Sequence, residues 1–217
     1  MDKKLLNQQS QHWEKSFSSK PEMFGSEPSH SAKIALENFQ KNNIKHIIEL
    51  GAGLGRDTIY FAKNSIKVTA LDYSPTAIKI IEDKSSSLGL SDFINVQTHD
   101  LKQNLNYKDN TFEGCYSHML YCMAFTYSEL EKLNNEVNRV LKKDSLNIYT
   151  VRNYTDADYK KGIHRGEDLY EMNGYIVHYF SDEKIKKLLI GFKNLSINHF
   201  DEGSFPRKLS LVINQKS

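Results

Sequence analysis

Hydrophobic and polar positions along this chain alternate in a way that predicts strands and helices in turn. Short apolar runs typical of buried strands occur at residues 45–50, 66–72, 94–100, 111–120 and 146–152. Segments with helical spacing of apolar residues or helix start signals follow most of these runs, at 56–64, 75–88 and 128–143. This alternation is typical of an α/β fold in which a mainly parallel, doubly wound sheet carries helices on both faces.

The N-terminal region and one internal segment depart from this alternation. Residues 1–31 are polar with scattered aromatics and end in a loop before a predicted helix at 32–42. Residues 153–180 are polar and rich in tyrosine, which indicates an insertion over the open end of the sheet rather than a core element. The last predicted elements are a helix at 182–190 and strands near 192–201 and 208–214. We expect a single domain over residues 1–217.

Composition narrows the class of protein further. A formal net charge of +2 is too small to indicate a nucleic-acid partner. The two cysteines, Cys115 and Cys122, lack CxxC spacing, so we expect neither a disulfide framework nor a bound metal. No apolar run approaches the ~18 residues that a membrane span needs, and the first residues lack the apolar core of a signal peptide. We therefore expect a cytoplasmic enzyme or binding protein, as a monomer or a homodimer, with no membrane partner.

Three glycines stand between the first predicted strand and its helix. Gly51, Gly53 and Gly55 follow "HIIEL" at every second position. Glycines at such a junction let the backbone turn sharply and approach a ligand where a Cβ would clash. Asp72 ends the second predicted strand at the distance from Gly51 expected of an acid that binds ribose hydroxyls. The sequence therefore predicts a nucleotide-type cradle at this edge of the sheet.

The spacing of the glycines bears on which ligand the cradle holds. Dinucleotide-binding enzymes use GxGxxG, in which the pyrophosphate sits on the helix N-terminus. Here Arg56 stands where the third glycine should fall, and in the other register Thr58 does. A nicotinamide-dependent oxidoreductase with an aberrant loop remains an alternative.

The string Glu49-Leu50-Gly51-Ala52-Gly53-Leu54-Gly55 resembles motif I, E/DxGxGxG, of the class I S-adenosylmethionine-dependent methyltransferases. This resemblance implies a Rossmann-like sheet of seven strands with the last one antiparallel, and S-adenosyl-L-methionine as the cofactor. It also implies that the glycine loop, with the backbone of Ala52, contacts the cofactor. The ammonium and sulfonium of that cofactor make an acid such as Glu49 electrostatically sensible beside the loop.

Further segments extend the resemblance. In "VTALDYS", Asp72 would bind the ribose, with Tyr73 and Ser74 beside the adenine. In "NVQTHDL", Asp100 would accept from the adenine amino group, and Leu101 would offer its backbone. The remaining cofactor residues that the resemblance implies are Ser117 near the methionine part, and Trp13 and Phe24 in an N-terminal lid over residues 1–31.

The methyl acceptor is less well defined by the sequence. We expect a small molecule, because the [N/D]PP[Y/F/W] motif and any basic stripe are absent. His118 is the candidate general base, since histidine is the side chain type suited to proton transfer at neutral pH. Tyr121 is a second candidate catalytic residue, which would hold the acceptor beside His118, and His164 and Arg165 in the insertion are candidate substrate contacts. A tRNA or protein acceptor and a non-catalytic cofactor-binding protein remain alternatives.

Overall fold

A twisted sheet with helices on both faces forms the body of the protein, which we describe from a computed structural model for residues 3–203 and 207–217. Its described strands are β1 His46–Leu50, β2 Lys67–Asp72, β3 Ile94–Thr98, β4 Phe112–Ser117, β5 Leu141–Asn153, β6 Ile163–His164, β7 Leu169–Met172, β8 Tyr175–Phe180, β9 Phe192–Glu202 and β10 Arg207–Lys216. Its described helices are α1 Lys3–Ser19, α2 His30–Lys41, α3 Arg56–Lys63, α4 Pro75–Ser87, α5 Tyr127–Val140 and α6 Asp182–Lys187. None of these helices combines the length and hydrophobicity needed to cross a bilayer.

The order of the parallel strands places the glycine loop at a crevice. β1 pairs with β2 on one side and β4 on the other, and the sheet continues to β3 in one direction and β5 in the other. Because the strand order reverses at β1, the connections after β1 and β4 diverge to opposite faces and leave a crevice at their carboxyl ends. The predicted mainly parallel α/β sheet is confirmed.

Alternate residues of β1 belong to two separate cores. Ile47 packs with Phe39 of α2 and Phe61 of α3 on one face of the sheet. Ile48 packs with the cluster that includes Val137 of α5 on the other face. Both cores are shielded from water, as expected for parallel strands that are covered on both sides. The prediction of helices on both faces is confirmed.

The C-terminal strands complete the expected pattern. β10 lies antiparallel to β5, with Leu209 opposite Arg152, and antiparallel to β9. The last strand is therefore antiparallel to the main sheet, as predicted. Seven strands, β1 to β5 with β9 and β10, form the sheet that the sequence implies, and the described sheet gains three more from the insertion.

The insertion contains regular structure that the sequence analysis did not predict. β6, β7 and β8 form an antiparallel ladder, and β8 pairs with the end of β5 through Tyr179 opposite Arg152. His178 on β8 is fully buried and donates from Nδ1 to the carbonyl oxygen of Phe125 at 2.8 Å. Burial, together with the charge of Lys184, lowers the pKa of His178 to about 3. His178 is thus a neutral core residue, and this part of the insertion belongs to the core.

Helix α1 lies in the N-terminal segment for which only a polar lid was expected. Its Glu14 accepts hydrogen bonds from the side chains of Ser74 and Thr76 at the start of α4. Burial would raise the pKa of Glu14, but these hydrogen bonds outweigh it and lower the pKa. Gln9 bonds to the backbone of Gly174 and Ile176 in the insertion. These contacts attach α1 to both sides of the crevice.

Candidate functional site

A cavity of about 850 Å³ occupies the crevice at the carboxyl ends of the parallel strands, and α1 forms one of its walls. Its volume lies near the upper end of the range for small-molecule sites. Of the residues predicted from the sequence, the following line it: Trp13, Phe24, Glu49, Gly51, Ala52, Gly53, Asp72, Tyr73, Asp100, Leu101 and His118. The following do not: Gly55, Ser74, Ser117, Tyr121, His164 and Arg165.

The three glycines of the loop are needed for different reasons. All have positive φ, which non-glycine residues rarely adopt. A Cβ on Gly51 would lie 2.9 Å from Leu120, and one on Gly55 would lie 2.5 Å from Ile81 of α4. A Cβ on Gly53 would come no closer than 3.8 Å to a protein atom, and Gly53 lines the cavity. Gly53 therefore leaves space open toward a ligand, whereas Gly55 permits close packing on α4 rather than the ligand contact expected of it.

Asp72 is oriented by backbone N–H groups of the two loops that follow β1 and β2. It accepts from the N–H of Gly53 and from that of Ser74, each at 2.9 Å. Burial raises the pKa of Asp72 to about 6, although these backbone hydrogen bonds oppose the shift. A carboxylate has more lone pairs than two N–H donors use, so Asp72 can accept further hydrogen bonds from ligand hydroxyls.

Glu49 places a second carboxyl beside the loop. It is only 3% exposed and accepts from Thr58 Oγ1 at 2.6 Å. Burial, followed by the nearby charge of Asp57, raises the pKa of Glu49 well above its usual range. A cation bound in the cavity would offset this crowding of carboxyl groups, which suits a ligand that carries an ammonium or a sulfonium.

Aromatic and apolar side chains cover the part of the cavity next to the loop. The rings of Trp13 and Phe17 lie 5.4 Å apart, and those of Phe17 and Phe24 lie 6.2 Å apart. Tyr73 and Leu101 line the same cavity from the other side. Flat aromatic ligands pack well between such surfaces. The carboxyls, the open glycine and this apolar cover together fit an adenosyl sulfonium, the ligand that the motif resemblance implies.

A second polar group lines the cavity around His118. Nδ1 of His118 is 2.9 Å from Ser31 Oγ and 3.1 Å from Thr150 Oγ1, and Nε2 is 3.4 Å from Glu202 Oε1. Arg56 Nη2 donates to the same Glu202 oxygen at 3.0 Å. Burial would raise the pKa of Glu202, but the hydrogen bonds and charges of His118 and Arg56 lower it to about 2. Sequence reasoning missed Glu202 and Arg56 as site residues.

Tyr121 lies in the core instead of the cavity. Its side chain is fully buried, and its ring stacks on that of Tyr149 with centroids 4.3 Å apart. Its proximity to His118 in sequence does not bring it to the pocket, because the chain turns between Met119 and Met123, where a backbone hydrogen bond joins Met123 to Leu120.

Replacing Tyr121 by phenylalanine will therefore leave cofactor binding intact. We expect the affinity for S-adenosylhomocysteine, measured by calorimetry, to stay within about twofold, and the free energy of unfolding within about 1 kcal/mol, because only one buried hydroxyl is removed. An affinity loss of tenfold or more in a folded variant would instead place that hydroxyl at the ligand.

The polar cluster at the tip of the insertion also lies away from the cavity. His164 Nε2 is 2.8 Å from the carbonyl oxygen of Glu167, and Arg165 donates to Glu171 at 2.7 Å. Both side chains use their polar atoms within the β6–β7 hairpin, and neither lines the cavity. Glu167, in the same polar cluster, does line the cavity.

Two further predicted cofactor residues have structural surroundings. Ser74 is the N-cap of α4, where its Oγ accepts from the N–H of Ala77 at 3.0 Å. Ser117 is fully buried at the end of β4 and does not line the cavity. Among residues 3–203 and 207–217, no cluster of three or more His, Cys, Asp or Glu side chains is arranged to hold a metal ion.

Comparison with known proteins finds a methyltransferase domain within the chain. Residues 47–144 match a family model described as "Methyltransferase domain". A sterol 4-C-methyltransferase of Caenorhabditis elegans is 26% identical over 106 residues, which are 49% of this chain and 30% of that protein. The chain thus spans about a third of the length of this curated relative.

Solved structures share the fold across most of the chain. One is the 1,6-didemethyltoxoflavin-N1-methyltransferase of Burkholderia thailandensis, with a TM-score of 0.74, 14% identity, and coverage of 96% of this chain and 87% of that one. Another is a SAM-dependent methyltransferase of Methanosarcina mazei, with a TM-score of 0.69, 18% identity, and coverage of 80% and 92%. Residues 47–144 thus match a methyltransferase domain, and the chain shares its fold with solved S-adenosylmethionine-dependent methyltransferases.

Proposed function

We propose that this protein transfers the methyl group of S-adenosyl-L-methionine to a small-molecule acceptor. The observation that carries the proposal is the sharing of one cavity by two different groups of residues. The glycine loop, Glu49 and Asp72 suit the cofactor, whereas His118 and Glu202 are not accounted for by it. A site that only bound the cofactor would not need the second group.

The roles of the residues follow from their positions. Bound S-adenosylmethionine supplies the electrophilic methyl group. Asp72 accepts hydrogen bonds from the ribose hydroxyls, Glu49 offsets positive charge, and Asp100 accepts from the adenine amino group. Trp13 and Phe24 cover the site and exclude water, so that alignment of the two reactants accounts for most of the acceleration. His118 contacts the acceptor at the other end of the cavity.

A small acceptor is favoured by the shape of the site. Helix α1, attached at Glu14 and Gln9, forms a wall of the cavity and narrows the approach for a tRNA or a folded protein. The curated and structural relatives named above act on different acceptor atoms by their names, a sterol carbon and a ring nitrogen. The acceptor of this chain is therefore best inferred from its own cavity.

We also propose that the protein works in the cytoplasm as a monomer or a homodimer. Cys115 and Cys122 are free and buried, in keeping with a reducing compartment. Within the described part of the chain, the exposed large apolar residues belong to different segments: Met23, Leu88, Ile163, Ile190 and Leu195.

Binding and labelling experiments test the proposed function. S-adenosylhomocysteine at 100 times its Kd should stabilise the protein by about 2.7 kcal/mol, which raises Tm by several degrees. NAD should not raise Tm, and stabilisation by NAD alone would favour the oxidoreductase alternative. With radiolabelled S-adenosylmethionine and a cell extract, label should enter the small-molecule fraction. Label in RNA or protein would show a macromolecular acceptor, and tight cofactor binding without transfer would show a non-catalytic protein.

A further inference from the structure

The hydrogen bonds of the hydroxyl groups near Nδ1 of His118 show where their hydrogens lie. The hydroxyls of Ser29 and Tyr116 donate to Asp57 Oδ2 at 2.7 and 2.9 Å, so each has used its single hydrogen. Ser31 Oγ lies 3.0 Å from Ser29 Oγ and 2.9 Å from the hydroxyl oxygen of Tyr116. Because those two hydroxyls already donate to Asp57, the hydrogen in these contacts comes from Ser31. Ser31 then offers His118 only lone pairs. Nδ1 of His118 is 2.9 Å from Ser31 Oγ and 3.1 Å from Thr150 Oγ1, so one of these two hydroxyls is its hydrogen-bond partner in either tautomer.

The other ring nitrogen faces a carboxyl group. Nε2 of His118 and Oε1 of Glu202 are 3.4 Å apart, and two bare acceptors at this distance would repel. One hydrogen therefore lies between them, and because Arg56 also donates to Oε1 and the pKa of Glu202 is lowered to about 2 despite its burial, Glu202 is the acceptor of that hydrogen. Both ring nitrogens of His118 are then engaged by protein groups, Nδ1 by Ser31 or Thr150 and Nε2 by Glu202. The general base expected from the sequence at His118 is therefore better sought at Glu202.

Glu202 is left with one filled and one unfilled oxygen. Its Oε1 receives both His118 and Arg56, whereas its Oε2 is buried without a hydrogen-bond partner among residues 3–203 and 207–217. Arg56 faces both Glu202 and Asp57, so two carboxylates already share its charge. A buried acceptor without a donor is unfavourable, and the side chain of Glu202 lines the cavity. A hydroxyl or an uncharged amine of a ligand, which keeps the lone pair that methyl transfer needs, would donate to the vacant oxygen.

Building on the proposed function, we propose that Glu202 recognises the methyl acceptor by accepting a hydrogen bond from a neutral hydroxyl or amine at the atom to be methylated. Arg56 lies over the ring of Phe24 at 5.9 Å, and Met119 and Met123 line the same cavity, so an apolar surface adjoins the polar group. The acceptor class is therefore a small, neutral, largely apolar alcohol, phenol or amine. Carbon, thioether and metalloid acceptors, which offer no such donor, are disfavoured.

The transfer balances with Glu202 as the proton acceptor. A lone pair of the acceptor oxygen or nitrogen forms the bond to the methyl carbon, while the carbon–sulfur bond breaks and its electron pair stays on sulfur. The hydrogen on the same acceptor atom becomes strongly acidic as that bond forms, and it passes to Glu202 and then to solvent. The methylated oxygen of an alcohol or phenol has no hydrogen left for Glu202, which favours product release.

Matched probes test this proposal on the full chain saturated with S-adenosylhomocysteine. The pairs are phenol and anisole, benzyl alcohol and its methyl ether, and aniline and N,N-dimethylaniline, with affinities measured by saturation-transfer NMR. Wild-type protein should bind the donor of each pair about fivefold or more tightly than its methylated partner. Glu202→Gln should abolish or reverse this preference. In this variant, Arg56 and His118 should hold the amide oxygen in the position of Oε1. The amide NH₂ then takes the position of Oε2, where it donates a hydrogen bond and cannot accept one.

The control is Asp201→Asn, on the same strand. Asp201 is exposed, pairs with Lys208 and does not line the cavity, so its variant should keep the wild-type preference. S-adenosylhomocysteine should bind all three proteins, and its failure to bind the wild type would overturn the proposed function itself. Where it binds, equal affinities within the pairs, no binding of any donor, or an unchanged preference in Glu202→Gln would overturn only the role of Glu202.

Discussion

Replacing Gly53 by alanine will lower the affinity for S-adenosylhomocysteine by at least about tenfold, or 1.4 kcal/mol, in a protein that still folds. Gly53 lines the cavity, and the nearest protein atoms to an added Cβ are 3.8 Å away on Phe17 and 3.9 Å away on Phe24. The new methyl group thus meets no clash within the protein, but it occupies space between the loop and the aromatic cover. Calorimetry of ligand binding, with thermal unfolding of the unliganded variant, measures both effects.

Two other glycines separate the cost of the backbone from the loss of ligand space. Gly53, Gly55 and Gly89 all have positive φ, so alanine at each incurs a similar left-handed cost of about 1–2 kcal/mol. An added Cβ at Gly89 has no neighbour within 4 Å, whereas one at Gly55 meets Ile81 at 2.5 Å. Gly89→Ala should bind the ligand normally, and Gly55→Ala should lose about 1–3 kcal/mol more stability than Gly89→Ala. If Gly53→Ala binds as tightly as Gly89→Ala, the loop does not approach the ligand.

The lining of the cavity around the glycine loop could be predicted because its signals are short-range. The strand, the glycines and Asp72 lie within one β–loop–helix–β segment, so their spacing alone brings them together. Parallel strands then align their carboxyl ends at one edge, which adds Asp100 and His118 after β3 and β4. The same reasoning overreached at Gly55, where the packing of Ile81 against the backbone, invisible in the sequence, explains the glycine.

The lining of the cavity around His118 depends on contacts between distant parts of the chain. Glu202 reaches His118 because β10 returns antiparallel beside β5 and carries the end of β9 to the cavity. No local pattern distinguishes Glu202 from other polar residues of that hairpin. Helix α1 was missed for a similar reason, since its polar face carries Glu14, whose partners Ser74 and Thr76 are distant in sequence. His164 and Arg165 formed a plausible local cluster, but the β6–β7 hairpin turns them away from the cavity.

Acidification will weaken cofactor binding because Asp72 becomes protonated. The same protonation will raise the stability of the unliganded protein. Burial raises the pKa of Asp72 to about 6. The carboxylate is the form that accepts from two ribose hydroxyls, and at pH 5 only about one Asp72 in ten is ionised, so Kd should be about tenfold higher than at pH 8. In the unliganded protein, a carboxyl whose pKa is raised contributes stability that is fully present below pH 3.8 and is lost as the pH rises through about 6.

Asp72→Asn isolates these two effects from other groups that titrate nearby. Glu49, whose pKa is also raised, and Glu14, whose charge acts on Asp72, remain in both proteins, so the difference between their pH profiles belongs to Asp72. The variant should bind S-adenosylhomocysteine about 1–3 kcal/mol more weakly at pH 8 and show a flatter dependence of Kd on pH. Calorimetry between pH 5 and 8 measures the first effect, and urea unfolding over the same range measures the second. Parallel pH profiles for the two proteins would mean that Asp72 does not bind the ribose. Its carboxylate would then serve only to link the backbone of Gly53 to that of Ser74.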